Sequence, residues 1–323
     1  MPKGNIITDN LNEDGIDRRG FLKCMAWAGT GAACVLQGGV LQSFALGDSA
    51  IRGMHKRKGE LAFVQISDSH IGFNKAANPD VVGTLRQAIA KINALPTPPA
   101  FVLHTGDLSQ LSKPEQFDTL AQSLKEIRTD RIFYVPGEHD VLDDNGAAYR
   151  ERFAKGSLGD GWYSFDTGGA HFIGLVNVMN LKAGGLGNLG PEQLDWLEKD
   201  VKHLKSSTPI VVFAHIPLWS IYPEWGWGTS DSEQALSHLK RFGSVTVLNG
   251  HIHQTMRKVE GNVTFHTAMS TAFPQAAPGM APAPGPMKVP AEKLRSVLGV
   301  TDVNFIRGHH TLGITDSTLD SAM

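Results

Sequence analysis

A chain of 323 residues, 41% hydrophobic and 19% charged, is long and apolar enough to bury a substantial core. Its formal net charge of -2 gives no reason to expect nucleic acid or an anionic membrane as the partner. Nothing suggests a second core, so one domain is expected over residues 46–323.

Residues 1–45 read as a twin-arginine signal peptide. Arg18-Arg19-Gly20-Phe21-Leu22-Lys23 precedes a glycine-interrupted apolar run from Met25 to about Leu41, and Ser43-Phe44-Ala45 places small residues for signal cleavage. An N-terminal anchor or a helix of the fold is the alternative. The run is short and glycine-rich for a bilayer, so no stable span is expected after processing. The implied partner is the export machinery and the implied destination is the periplasm or the exterior. Both cysteines, Cys24 and Cys34, fall in this segment, and Gly31-Ala32-Ala33-Cys34 lacks the upstream leucine of a lipid-attachment site. Cleavage near Ala45 would leave no cysteine, which excludes a disulfide, a thiolate nucleophile and a thiolate metal ligand.

Beyond the leader, apolar runs rich in Val, Ile and Phe alternate with helical periodicity. Strands are predicted over 61–67, 101–104, 131–135, 162–167, 171–177, 209–214, 244–249, 255–259 and 263–267. Helices are predicted over 79–95, 114–127, 191–204 and 232–241. Gly168-Gly169 and Glu260-Gly261-Asn262 are hairpin signals. The alternation predicts layered α/β architecture with added antiparallel hairpins. Residues 273–290, mostly Pro and Ala, are expected to form an irregular arm, either a plain surface loop or one draped near a site mouth.

Five motifs stand where predicted strands end: Asp68-Ser69-His70, Gly106-Asp107, Gly137-Glu138-His139-Asp140, Ala214-His215 and Gly250-His251-Ile252-His253. Ligands in open α/β folds gather at such strand ends. The i, i+2 spacing aims alternate side chains of one extended segment at a common region. Glycines at 106, 137 and 250 permit sharp backbone turns before a ligand. Carboxylates mixed with imidazoles suit Mn, Fe, Zn or Co. Two such ions could hold a bridging hydroxide for in-line displacement at phosphorus, with Asp107 the natural shared carboxylate.

This ordered set resembles the calcineurin-like metallophosphoesterase superfamily over residues of about 61 to 270. The resemblance implies a four-layered β-sandwich flanked by helices (αββα). It implies that Asp68, His70, Asp107 and His253 bind one metal, and that Asp107, Glu138, His215 and His251 bind the other. It also implies that His139 is the general acid, oriented by Asp140. The expected cofactors are two divalent or mixed-valence transition metal ions. The departure is Glu138, where the family pattern has asparagine. A carboxylate there should hold the second metal more tightly and lower the positive charge of the site, which favours monoanionic diesters or an ion such as Fe(III); alternatively Glu138 swings away. Gln110 and His70 replace the residues that purple acid phosphatases carry at these positions, so a purple enzyme is not expected.

His104 and His266 are candidates to support ligands from behind, or are core histidines. Trp225 and Trp227, in the aromatic stretch Trp219–Trp227, could stack on a nucleobase or aromatic leaving group, or pack the loop. The reading is an exported, dinuclear phosphoric ester hydrolase acting on a phosphodiester or phosphomonoester. The rival classes are a catalytically silent metal-bound scaffold and a di-iron redox enzyme.

Overall fold

The computed structural model describes residues 32–37, 40–45, 60–129, 131–306 and 312–321. A first unit contains β1 (Ala32–Gln37) and β2 (Val40–Ala45), paired antiparallel with Ala32 opposite Ala45. The rest of the expected leader, including Arg18 and Arg19, lies outside the described residues.

The second unit is built on two sheets. One is five-stranded, in the order β13 (Gly313–Thr318), β12 (Gly299–Ile306), β3 (Glu60–Ile66), β4 (Val102–His104) and β5 (Ile132–Tyr134). The other is six-stranded, in the order β10 (Met256–Glu260), β11 (Val263–Thr267), β9 (Val245–Asn249), β8 (Ile210–Phe213), β7 (Ala170–Gly174) and β6 (Tyr163–Thr167). Strands β3, β4 and β5 run parallel, as do β7, β8, β9 and β11, while β12, β13, β6 and β10 join antiparallel.

Alternation along each strand sorts side chains between two layers. Phe63, Phe101, Leu103, Phe172, Val211, Phe213, Val303 and Phe305 face inward and form the core between the sheets. Their neighbours Val64 and Val102 face outward, beneath α1 (Val81–Asn93) and α2 (Pro114–Leu124), where Leu85, Ile89, Phe117 and Leu120 meet them. On the opposite side Val212, Val245 and Val247 pack under α4 (Pro191–Val201) and α5 (Ser232–Leu239) through Leu194, Leu197, Val201 and Leu239. The result is the expected helix–sheet–sheet–helix stack. Phe63 meets Phe172 edge-on across the sheet seam at 5.5 Å, one of several aromatic contacts each contributing about 0.5–1.5 kcal/mol beyond area burial.

Some boundaries differ from the expectation. Pro79 does not open α1; Asp80 caps that helix by accepting from the Gly83 amide at 2.8 Å. Strands β12 and β13 and the short helix α3 (Ala147–Phe153) were not among the predicted elements. Among the described residues, no helix is long and apolar enough to cross a membrane.

Candidate metal centre

The parallel strands β3, β4 and β5 of one sheet and β8 and β9 of the other end at the same edge of the seam, and each runs directly into one of the five motifs. Local pairing continues past the strands. The Asp68 and His70 amides donate to the carbonyls of Gly106 and Asp107 at 3.0 and 2.9 Å, zipping the first two motifs together. The Gly250 amide donates to the His215 carbonyl at 3.0 Å and joins the last two in the same way. Glu138 and His139 sit on a single 3-10 turn, Glu138–Asp140.

The seven expected ligands converge. Asp107 Oδ2 stands 3.4 Å from His70 Nε2 and 3.3 Å from His215 Nε2, between the two halves of the cluster. On one side His253 Nε2 lies 3.4 Å from Asp68 Oδ1 and 3.2 Å from His70 Nε2. On the other, Glu138 reaches His215 Nε2 at 2.9 Å and His251 Nδ1 at 3.0 Å, one carboxylate oxygen to each ring. Glu138 is therefore turned into the cluster and not away from it.

The imidazoles are held from behind, which fixes the atom each presents. His215 Nδ1 donates to the Thr105 carbonyl at 2.7 Å, His253 Nδ1 to the Phe273 carbonyl at 2.5 Å and His70 Nδ1 to Gln110 Oε1 at 3.0 Å. All three expose Nε2 to the cluster. Five of the seven expected ligands, Asp68, His70, Asp107, His251 and His253, have left-handed backbones with φ between 41° and 71°. Asp and His are among the few non-glycine residues that visit this region. The glycines act differently from the expectation: only Gly106 has positive φ, at 97°. Gly137 and Gly250 are needed for space, since a Cβ would meet Asp107 Oδ1 and Ser67 Oγ, each at 2.0 Å.

Burial by itself would raise the carboxyls of Asp68, Asp107 and Glu138, yet the surrounding imidazoles hold all three below the usual carboxylate range. Burial pushes the His70 ring down to about 3, so it is neutral and ready to donate a lone pair. A further sign of metal chemistry is the set of unspent atoms. Glu138 Oε2, His215 Nε2 and both ring nitrogens of His251 are buried without completing a hydrogen bond, which is costly unless something else binds them. Four overlapping groups can each close on an ion: Asp68/His70/His253, His70/Asp107/His139, Glu138/His215/His251 and Asp68/Asp107/His215. The residues fit transition metal ions by donor type and by orphaned atoms.

Two expectations are corrected. Asp140 does not orient the His139 ring. Its Oδ1 accepts from the Ser109 amide at 2.7 Å and hydroxyl at 2.9 Å, and its Oδ2 from the Leu108 and Gly137 amides at 3.0 and 2.9 Å. Both oxygens are thus spent on tying the second motif to the third. The His139 ring instead donates Nδ1–H to the Gln110 carbonyl at 2.8 Å. Trp227 is 1% exposed, stacked edge-on against Trp225 at 5.3 Å, and offers no free face to a substrate. Trp225 is partly exposed, so packing explains Trp227 and leaves Trp225 the only one of the pair facing outward.

His104 bonds to Ser69, between Asp68 and His70, at 2.8 Å, whereas His266 pairs with Asp316 at 3.0 Å and reaches no ligand. Sequence reasoning named Gln110 only as a departure from the purple acid phosphatases and gave it no role, yet its side chain and carbonyl serve His70 and His139 together. The start of the 273–290 arm was legible only as an option. Phe273 packs its ring on His70 at 4.7 Å and His253 at 4.8 Å, and Gln275 donates to the His251 carbonyl at 3.0 Å.

Comparison with known proteins agrees with this geometry. The sequence model of the family described as calcineurin-like phosphoesterase matches residues 61–255. A 3′,5′-cyclic-nucleotide phosphodiesterase of Nostoc sp. is 26% identical over 219 residues, covering 66% of this chain and 79% of its own. The serine/threonine-protein phosphatase CPPED1 of Danio rerio is 26% identical over 223 residues, covering 61% of this chain and 71% of its own. Among solved structures, a dimetal phosphatase from Danio rerio superposes with a TM-score of 0.59 at 14% identity, covering 80% of this chain and 96% of that one; the likeness is one of fold.

Proposed function

The chain belongs to the calcineurin-like phosphoesterase family and is a phosphoric ester hydrolase, and on that footing we propose that it is an exported, dinuclear phosphodiesterase. The observation that carries the reading is the convergence of three carboxylates and four imidazoles about Asp107, which stands within 3.4 Å of a histidine from each half of the cluster. Asp68, His70, Asp107 and His253 would hold one ion, and Asp107, Glu138, His215 and His251 the other. When bound, such ions polarise phosphoryl oxygens and lower the pKa of a water toward neutrality.

The chain's own residues do the rest. Three ionised carboxylates against two divalent ions leave one net positive charge, which suits a singly charged phosphodiester better than a doubly charged monoester. The name of the Nostoc relative points the same way. His139 is the group that serves the leaving oxygen. Its Nδ1–H is committed to the Gln110 carbonyl, so Nε2 is the atom free to give a proton. In the metal-free chain burial lowers its pKa, but Asp107 and Glu138 outweigh burial and raise it.

A general acid matters most when the leaving group is poor. His139→Ala is therefore expected to slow an alkyl phosphodiester by about 10²–10⁴-fold while slowing bis(p-nitrophenyl) phosphate much less. Equal loss on both esters would remove His139 from that role. Faster turnover of p-nitrophenyl phosphate than of the diester would overturn the substrate class. The export part rests on Arg18-Arg19-Gly20-Phe21-Leu22-Lys23. Exchanging both arginines for lysine should trap the protein in the cytoplasm; unchanged fractionation would exclude the route.

A further inference from the structure

Taking the dinuclear reading as its basis, we infer that Glu138 makes the two metal subsites chemically equivalent, so that the chain takes up a matched pair of ions with similar affinity. Shared Asp107 aside, the first subsite offers Asp68, His70 and His253, and the second offers Glu138, His215 and His251. Each is thus one carboxylate and two imidazoles. A neutral side chain at position 138 would leave the second subsite a full charge poorer than the first.

The surroundings explain what that charge does. The first subsite is sealed, with the side chains of Asp68, His70 and His253 no more than 3% exposed. The second lies nearer the surface, with Glu138 24% and His251 12% exposed, although Glu138 Oε2, His215 Nε2 and both His251 ring nitrogens are themselves buried. Nearness to solvent screens the attraction between an ion and its ligands there more than in the sealed subsite. A carboxylate would offset that loss, because its two oxygens already lie 2.9 and 3.0 Å from the His215 and His251 nitrogens that would share the ion.

Calorimetric titration of Mn²⁺ into the metal-stripped full chain tests this without reference to turnover. The wild type should bind two equivalents in one unresolved transition, with affinities within about tenfold of each other. Glu138→Gln, which keeps the volume and removes the charge, should leave one equivalent unchanged and weaken the other by at least tenfold. Loss of a mere supporting partner already costs about 10–100-fold. Asp68→Asn should give the mirror-image isotherm. Circular dichroism of each variant guards against misfolding, and Glu138→Asn supplies a second neutral exchange. Two equivalents separated by more than about a hundredfold in the wild type, or an unaltered isotherm in both position-138 variants, would overturn the equivalence and leave the dinuclear reading standing. Fewer than two equivalents in the wild type would overturn both.

Discussion

Asp140 shows how much a single carboxylate can do without touching substrate. Four donors from Leu108, Ser109 and Gly137 converge on it in a fully buried position. Burial and the nearby Asp107 charge push its pKa up to about 7, while those same donors pull it down. Asp140→Asn would turn an amide N–H₂ against one pair of donors and leave them unsatisfied. A loss of about 1–3 kcal/mol is expected, read by denaturant unfolding. Activity should fall with it, since Asp107 and His139 hang on the two segments that Asp140 joins. A variant as stable as the wild type would show that the four contacts are dispensable. This arrangement was not legible in the sequence: the family resemblance implied Asp140 as the partner of His139, whereas on the 3-10 turn Asp140 bonds Leu108, Ser109 and Gly137 while the His139 ring bonds Gln110.

At the scale of elements, what the sequence revealed and what it hid follow from how strongly each segment is patterned. Strand β8 is a continuous apolar run and β3 and β9 are mostly apolar, and the candidate ligand motifs begin just past their ends. Helix α4 announces itself through Leu194, Leu197 and Val201 on one face. Strand β12, by contrast, reads Gly-Val-Thr-Asp-Val-Asn-Phe-Ile, with a polar residue in a buried position: Thr301 is covered and bonds Asp316 of β13 at 2.7 Å. Its role as partner to β3 depends on a tertiary contact more than 230 residues away in sequence, between Asp302 and Val64.

His171 of β7 gives an element-scale prediction. Its ring bridges Asp166 of β6 and Asp200 of α4, each at 2.9 Å, and so pins a helix to a sheet edge. Burial lowers its pKa, but the two carboxylates outweigh burial and raise it above the ordinary value. A raised folded-state pKa means the stabilisation is complete below about pH 6.5, the unfolded value, and fades as pH climbs through the folded one. The melting-temperature gap between wild type and Asp200→Asn should be widest near pH 5.5 and narrow by about pH 9. A gap that stays constant or widens with pH would contradict the pairing.

Across the whole molecule, each half of the centre draws on both sheets. Asp68, His70, Asp107 and Glu138 follow strands of the five-stranded sheet, while His215, His251 and His253 follow strands of the six-stranded one. Ions bound there would staple the sandwich along its seam, and binding to the folded state alone adds stability. Each ion held at a hundred times its dissociation constant contributes about 2.7 kcal/mol. For a domain of this size, removing both should lower the melting temperature by roughly 10–20 °C. Scanning calorimetry with and without a chelator reads this directly; an unchanged melting point would mean that the sheets hold the site and the site does not hold the sheets.

The left-handed backbone at Asp68, His70, Asp107, His251 and His253 carries a consequence for the history of such a chain. These positions filter substitutions twice, once for the ability to bind an ion and once for tolerance of positive φ, which valine, isoleucine and threonine lack. A descendant relieved of hydrolysis would lose the first filter and keep the second. Its decayed site would drift toward asparagine and glycine, leaving a fossil of the metal centre written in the shape of the loops.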